Sequence, residues 1–337
     1  MKTTLVIAAA VLAAVACAQN TQEVPSQEIT IETVDYAVKG ADTLKMDVYV
    51  REDLRSAEKL PVMFYVHGGG FSMGSRKNVA QEIFIRHFVE EGYLGVSIDY
   101  RLAGGEGFKY GCESVLDVIK LACEDMADAT RYLLEHYNAD PEKIITSGGS
   151  AGAVMVLQIE YDICNEASYL AGRLPEGFNY AGVISAAGGI STPLDEKELT
   201  WKHDPCPVLL MYGSEDMTVN EVLAPYMGMN MFCSKTLHEE FDKWGYPNWL
   251  YTEIGADHVV AMKHLTANQE EADEFIRHFV NEGKKSSVTT EWKDAEPAGM
   301  ADIDAMVKNV PMYILGYEKY LSEMDWNNLG TADEIKY

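Results

Sequence analysis

The segment SGGSAG, residues 147–152, holds a serine whose type and surroundings are suited to chemistry. Gly148 lies two positions before Ser150 and Gly152 two positions after it. A serine hydroxyl is exposed for attack when the backbone turns sharply at that residue, and the glycines remove side chains that would clash in such a turn. An apolar strand pattern precedes the segment and a helical pattern follows it. This context predicts Ser150 as a catalytic nucleophile.

A serine that attacks a carbonyl group needs backbone donors for the negatively charged oxygen that it creates. The N–H of Ala151, at the start of the helix after Ser150, is one predicted donor, and the helix dipole adds to its effect. A second glycine run, HGGG at residues 67–70, follows an apolar run. Because glycines carry no Cβ, their N–H groups can approach a substrate oxygen closely. We predict Gly69 and Gly70 as the further donors of an oxyanion hole.

The first two residues of the same run receive lesser roles. Gly68 is a weaker candidate donor, and His67 is interpreted as a scaffold residue rather than as a base. Histidines that precede the serine are excluded as bases, because the partners in a strand–serine–helix site follow in the order acid, then histidine.

A serine nucleophile needs a base, which in turn needs an acid to orient it. His258 lies in GADHVV, directly after an apolar strand, and is the predicted base, with His264 as the alternative. The predicted acid is Asp216 in MYGSEDMTV, also after a buried strand. Glu215 and Asp204 remain alternatives, as does the interpretation that these carboxylates belong only to the acidic excess of the chain.

The elements that must position these residues alternate along the chain. EITIETVDY and LKMDVYV alternate in period two and indicate an opening antiparallel pair. Continuous apolar runs such as LPVMFYV are typical of strands buried on both faces. Helices are predicted from the serine onward and over residues 77–91, 113–136, 220–244 and 267–282. The pattern predicts an α/β fold, a mostly parallel eight-stranded sheet with helices on both faces.

We predict one catalytic domain over residues 27–283. Residues 284–337 are predicted as a C-terminal extension of unknown role, with helical pieces around 300–324. No internal repeat or low-complexity linker divides the chain.

Five motifs, taken together and in order, resemble those of α/β-hydrolase serine esterases: HGGGF, DYRL, GGSAG, GSEDMTV and GADHVV. The similarity runs from about residue 45 to residue 282. It is nearest to the hormone-sensitive-lipase-like carboxylesterases and to bacterial acetyl and feruloyl esterases. The resemblance implies an α/β-hydrolase fold and a site made of Ser150, Asp216, His258, Gly69, Gly70 and Ala151. It also implies that Asp99 and Arg101 form a structural pair behind the site.

Two departures from this family pattern bear on substrate. Gly149 stands before the serine, where hormone-sensitive-lipase-like members usually carry aspartate. GSEDMTV resembles the acid loop of bacterial acetyl and feruloyl esterases more closely than the Asp-Pro-Leu segment of the lipase-like group. The resemblance therefore favours small acyl groups, including those on plant polysaccharide fragments, and Phe71 is predicted to contact the substrate.

Acidic residues outnumber basic ones by 53 to 27, which gives a formal charge of −26. This charge argues against nucleic acid or an anionic membrane surface as a partner, because both would repel the chain. The predicted chemistry needs no cofactor, and no Cys/His spacing indicates a metal site. The expected partner is a small-molecule or oligosaccharide ester.

The N-terminus has a secretory signal pattern. Lys2 precedes an apolar run over residues 5–16 that is too short to span a membrane, and small residues follow. We predict a signal peptide over residues 1–18 and export from a bacterial cell. Cleavage before Cys17 would leave a lipoprotein thiol, and a lipid anchor would be the only contact with a membrane. The other five cysteines are an odd number, so at least one is expected to stay free, and they are interpreted as buried thiols with no more than one disulfide among them.

The residues leave more than one function open. A serine esterase is the leading hypothesis. An amidase or peptidase would use the same groups, although this chain has no room for a gating domain. An acyltransferase that excludes water is a third hypothesis, and a non-catalytic binding protein with a decayed hydrolase fold is a fourth.

Overall fold

The computed structural model describes residues 28–104, 108–219, 224–226 and 228–293, with the backbone alone described over 224–226. The predicted signal peptide, Cys17 and the helices predicted around residues 300–324 lie outside the described residues.

The described residues form twelve strands. They are β1 (Ile29–Lys39), β2 (Asp42–Arg51), β3 (Leu60–Val66), β4 (Leu94–Ile98), β5 (Ala139–Gly149), β6 (Gly182–Ala186), β7 (Gly189–Thr192), β8 (Val208–Gly213), β9 (Ala224–Tyr226), β10 (Met229–Cys233), β11 (Asn248–Glu253) and β12 (Ser287–Trp292).

The helices alternate with these strands. They are α1 (Val79–Glu90), α2 (Val115–His136), α3 (Ala151–Cys164), α4 (Ser234–Trp244), α5 (Val260–Lys263) and α6 (Gln269–Phe275), the last continued by a π-helical turn (Ile276–Asn281). Single 3-10 turns lie at Glu52–Leu54 and Ser168–Leu170.

Nine strands form the central sheet, in the order β1-β2-β4-β3-β5-β6-β8-β11-β12. The first two pairings, β1 with β2 and β2 with β4, are antiparallel, and every later pairing is parallel. The prediction of a mostly parallel sheet that opens with an antiparallel pair is confirmed. The predicted count of eight strands is wrong by one.

The ninth strand is β12, which pairs in parallel with β11. It lies beyond Gly283, where we predicted the domain to end, so the sheet continues into the predicted C-terminal extension. Its sequence, SVTTEW, is mostly exposed at the edge of the sheet. An edge strand has no continuous apolar run, and this is why the pattern missed it.

The helix predicted over residues 220–244 is also wrong in its first half. β10 pairs antiparallel with β7 and with β9 in a separate three-stranded sheet, and the helix α4 begins only at Ser234. The sequence of β10, MNMFC, is buried throughout. Such a short apolar run fits a strand or a buried helix equally well by periodicity.

Two apolar cores cover the two faces of the sheet, as predicted. One core packs α2, α3 and α4 against the sheet, and the other packs α1, α5 and α6. The helix α3 is buried along almost its whole length, so it can hold its first residue in a fixed place beneath the site. Within the part of the chain described here, no helix has the length and apolar character needed to span a membrane.

Candidate active site

Ser150 occupies the sharp turn between β5 and α3. Its backbone has φ +55° and ψ −121°, a region that residues with a side chain rarely adopt. The Ser150 N–H donates to the carbonyl of Ala186 at 2.9 Å, and its own carbonyl accepts from the N–H of Val154 at 2.9 Å. Hydrogen bonds therefore hold both ends of the turn. A strained backbone conformation such as that of Ser150 is typical of functional residues.

The glycines around Ser150 are required by close backbone packing. A Cβ added to Gly148 would meet the backbone of Gly152, and one added to Gly152 would meet the carbonyl of Val66 on β3. A Cβ added to Gly149 would meet the carbonyl of Ala261 on α5. The departure from aspartate at position 149 thus has a structural reason, because α5 fills the space that a side chain would need.

The structure brings Ser150, His258 and Asp216 into one hydrogen-bonded chain. Ser150 Oγ lies 2.8 Å from His258 Nε2, and His258 Nδ1 lies 2.8 Å from Asp216 Oδ2. If Nδ1–H donates to the carboxylate, Nε2 is left as the acceptor of the serine proton. This is the arrangement that turns a serine hydroxyl into a nucleophile.

Asp216 is fixed on both of its oxygens. Its side chain is fully buried, and Oδ1 accepts from the N–H groups of Thr218 at 2.7 Å and Val219 at 2.8 Å. These donors stabilise the ionised carboxylate and leave Oδ2 directed at His258. The His258 side chain keeps 11% of its surface exposed, so the ring contacts Asp216 and still reaches solvent.

The alternative candidates lie elsewhere. His264 is buried behind Gly149, stacks on Tyr65 with 6.1 Å between ring centres, and has its pKa lowered by burial to about 4. Glu215 and Asp204 are both exposed. His258 bonds to Asp216 and to Ser150, and neither alternative carboxylate is among its hydrogen-bond partners.

The glycine run after β3 lies against the nucleophile. A Cβ built on Gly68 would be 3.3 Å from Ser150 Cβ. Gly69 and Gly70 have φ values of +111° and +58°, which favour glycine. Among the described residues, no group accepts a hydrogen bond from the N–H of Gly69, Gly70 or Ala151. Within the described part of the chain, these three N–H groups thus have no hydrogen-bond acceptor, as an oxyanion hole requires.

His67 has the contacts of a scaffold residue. It is 2% exposed and stacks on Tyr100 with 4.4 Å between ring centres. Its carbonyl accepts from the Tyr100 hydroxyl at 3.0 Å. Burial lowers the pKa of His67, which keeps the ring neutral. The interaction with Tyr100 ties the glycine run to the end of β4.

Phe71 is buried and packs edge-on against Tyr100. Its carbonyl accepts from the N–H of Gly104 at 2.9 Å, which closes the loop around the glycine run. The ring therefore contributes to packing, and its contact with substrate stays a prediction.

The implied pairing of Asp99 with Arg101 is wrong. Asp99 binds Arg76, whose backbone N–H and guanidinium lie 2.8 and 2.5 Å from its oxygens. Arg101 instead binds Asp125 on α2, at 2.7 Å. The Asp125 side chain is fully buried, and a buried carboxylate is costly without a cation beside it. The prediction paired two residues that are close in the sequence, and their actual partners are distant in the sequence.

Contacts between the acid loop and the histidine loop were also missed by the sequence. Ser214 Oγ accepts from the N–H of Gly255 at 2.8 Å, and the N–H of Glu215 donates to the carbonyl of Ala256 at 2.9 Å. These bonds fix the two loops to each other. The only signal in the sequence was that both loops follow neighbouring strands.

Among the described residues, no group of three or more His, Cys, Asp or Glu side chains is placed to hold a metal ion. The five described cysteines are free thiols. Cys112 is half-buried, and the others, Cys123, Cys164, Cys206 and Cys233, are buried.

Known proteins resemble the chain in sequence and in fold. Residues 7–160 match the model of the Carboxylesterase family. Gut esterase 1 of Caenorhabditis elegans is 29% identical over 156 residues, which are 45% of this chain and 27% of that protein. A secreted triacylglycerol lipase of Gibberella zeae is 28% identical over 162 residues, which are 46% of this chain and 26% of that protein.

Among solved structures, an esterase of Thermogutta terrifontis with butyrate bound superposes with a TM-score of 0.53 at 18% identity. The match covers 74% of this chain and 94% of that one. It confirms the predicted α/β-hydrolase fold. The two curated relatives match over only about a quarter of their own length. The stretch that matches the family model, residues 7–160, contains the glycine run and the serine turn.

Proposed function

We propose that this chain, which has the α/β-hydrolase fold and a carboxylesterase sequence pattern over residues 7–160, hydrolyses carboxylic esters through an acyl-enzyme on Ser150. One observation carries the proposal. The Ser150 hydroxyl, the His258 ring and the Asp216 carboxylate form one chain with 2.8 Å at each link. These are working distances for proton transfer from the serine to the imidazole.

In the first step, His258 Nε2 takes the proton as Ser150 Oγ attacks the ester carbonyl carbon. The carbonyl oxygen becomes an oxyanion, and the N–H groups of Gly69, Gly70 and Ala151, which have no acceptor among the described residues, donate to it. Asp216 stabilises the imidazolium that forms beside it. His258 then returns the proton to the departing alkoxide, the alcohol leaves, and the acyl group stays on Ser150.

In the second step, a water molecule replaces the alcohol. His258 takes a proton from the water as the oxygen attacks the acyl carbon. The same three N–H groups hold the second oxyanion. As it collapses, the bond between the acyl carbon and Ser150 Oγ breaks, His258 returns its proton to Oγ, and the carboxylic acid leaves. No other group has to supply or remove a proton.

The substrate class we propose is an ester with a short acyl group, including acetyl or feruloyl groups on plant polysaccharide fragments. The acid loop GSEDMTV supports this choice by its resemblance to such esterases, and the Thermogutta terrifontis structure holds the short-chain acid butyrate. We also propose that the protein is exported by its N-terminal signal. A secreted lipase among its relatives supports export.

The test compares the release of nitrophenol from acetate, butyrate and octanoate esters by the parent protein and by Ser150→Ala, both without residues 1–18. We expect the highest kcat/KM on acetate or butyrate. Loss of the nucleophile is expected to lower kcat by roughly 10⁴-fold or more. Both variants should unfold at similar temperatures, because the hydroxyl is not part of the core.

Equal and feeble rates in both proteins would reject the mechanism and favour the binding-protein alternative. Faster cleavage of the matched anilide than of the ester would favour an amidase. Formation of a transfer product with added alcohol, in place of free acid, would favour an acyltransferase.

A further inference from the structure

His258 lies in the middle of a loop whose two ends are joined by a buried ion pair. The loop begins at Glu253, the last residue of β11, and closes at Lys263, the last residue of α5. Lys263 Nζ contacts Glu253 Oε1. The imidazole is therefore equally far along the chain from both members of the pair.

The ion pair is more buried from solvent than is usual for a lysine and a glutamate. The Glu253 side chain is fully buried and the Lys263 side chain is 19% exposed. Among the described residues, Glu253 Oε2 has no hydrogen-bond partner, so the carboxylate depends on Lys263 for its neutralisation. Burial, with Glu253 among the surrounding charges, raises the pKa of Glu271 on α6, so a second carboxyl group lies nearby.

The helix that carries Lys263 has little stability of its own. The helix α5 contains only four residues, and a single turn does not form without outside contacts. The carbonyl of its second residue, Ala261, fills the space where Gly149 lacks a side chain. A small movement of α5 would therefore act on both the serine turn and the loop that carries His258.

We propose that Glu253 and Lys263 are positioning residues, whose ion pair holds the loop between β11 and α5 so that the His258 ring meets both Ser150 and Asp216. This inference rests on the proposed function, since it assigns a purpose to the position of the base. A buried charge that loses its partner is strongly destabilising where it stands, so we expect the chain around Lys263 to shift when the pair is broken. An error of about 1 Å in the position of a catalytic group lowers rates by about 100-fold.

The experiment compares Lys263→Met with a control, Lys243→Met. Lys243 also makes an ion pair, at 3.5 Å to Glu240, but that pair is on the exposed surface of α4. On nitrophenyl acetate we expect Lys263→Met to lower kcat by about 10-fold to 100-fold with little change in KM. Lys263→Arg should retain most of kcat, and Lys243→Met should match the parent.

A second variant separates positioning from the cost of a lone buried charge. Glu253→Gln combined with Lys263→Met removes both charges of the pair, so its unfolding temperature should return toward that of the parent. If the ion pair positions His258, kcat should stay low in this double variant. Recovery of kcat together with the unfolding temperature would overturn the proposal, because the pair would then serve stability alone.

A nuclear magnetic resonance measurement on the ¹⁵N-histidine-labelled protein tests the position without turnover. The parent should show a downfield Nδ1–H proton from the bond between His258 and Asp216, and this signal should be lost or shifted in Lys263→Met. An unchanged signal in that variant would overturn the proposal. A parent that lacks esterase activity but shows the signal would instead reject the proposed function and leave the positioning result standing.

Discussion

The two halves of the site are built by different means. The nucleophile half, at the ends of β3 and β5, consists of backbone packed on backbone, with glycines at Gly68–Gly70 and Gly148–Gly152 except for Ser150 and Ala151. The acid–base half, at the ends of β8 and β11, consists of side chains that bond to each other and to nearby N–H groups. The first half depends on positions that lack side-chain atoms, and the second depends on particular side-chain atoms that form hydrogen bonds.

The difference follows from what each half has to do. An oxyanion hole needs bare N–H groups that reach a substrate oxygen, and side chains would block that approach. A base and its acid need specific heteroatoms at fixed distances, and only side chains supply them. The nucleophile half should therefore fail when atoms are added, and the acid–base half when atoms are removed or exchanged.

The largest effect should come from the acid–base half, with Asp216→Asn. An amide cannot stabilise the imidazolium, and it can offer a donor to His258 Nδ1, which would favour the wrong tautomer of the ring. We expect kcat on nitrophenyl acetate to fall by about 10⁴-fold, as in other Ser-His-Asp enzymes.

The neighbouring Glu215→Gln is the control for Asp216→Asn, since Glu215 is exposed and, among the described residues, its side chain is not a hydrogen-bond partner of Ser150, Asp216 or His258. The control should keep the parental kcat. A loss of less than about 10-fold in Asp216→Asn would contradict the assigned acid.

The nucleophile half should respond to the addition of one methyl group in Gly69→Ala. The new Cβ would meet the carbonyl of Met73, and φ of +111° is unfavourable for alanine, so the loop would have to move its N–H groups. Loss of one oxyanion donor lowers kcat by about 10²-fold to 10³-fold, and we expect a loss in this range.

Gly172→Ala is the matched control for this substitution. Gly172 also has a positive φ, +73°, but a Cβ there would meet nothing within 4 Å. It should cost about 1–2 kcal/mol of stability through φ alone and leave kcat unchanged. Equal kcat in the two alanine variants would contradict the role given to Gly69.

The contrast between the halves also explains which parts of the candidate site could be predicted from the sequence. The nucleophile half is encoded locally, because glycine runs are contiguous and the serine turn has its strand and helix beside it. The predicted acid and the predicted base are single residues, and they were selected only because they follow apolar strands in the order that the fold requires. The structure then brings Asp216 and His258 together across 42 positions of the chain.

Partners that depend on burial could not be predicted. The pairing of Asp99 with Arg76 and of Arg101 with Asp125 joins residues 23 and 24 positions apart, and no local pattern records which distant residues the fold brings together. The ion pair between Glu253 and Lys263 has the same origin. The strand β12 was missed for the opposite reason, because its exposure leaves no apolar signal.

The smallest predicted effect concerns His264, which lies where the two halves meet. Its ring carbon Cε1 would be 3.1 Å from a Cβ on Gly149, and burial lowers its pKa from 6.5 to about 4. The folded protein therefore takes up this proton only near pH 4, whereas the unfolded chain takes it up near pH 6.5. Stability from this group is intact above pH 6.5 and is lost as the pH falls toward 4. The difference of about 2.5 pKa units corresponds to about 3 kcal/mol.

Urea unfolding at pH 7.5 and at pH 4.5 measures this loss in the parent and in His264→Leu. The variant should lose some stability at pH 7.5, because leucine fills the ring's space imperfectly, yet it should lose about 2–3 kcal/mol less than the parent between the two pH values. The exposed His136→Leu on α2 is the control and should follow the parent at both. If His264→Leu and the parent lose equal stability on acidification, then His264 takes up its proton in the folded protein as easily as in the unfolded chain. The junction behind the serine turn would then be open to water, and the nucleophile half would not be the dry, backbone-packed region that distinguishes it from the acid–base half.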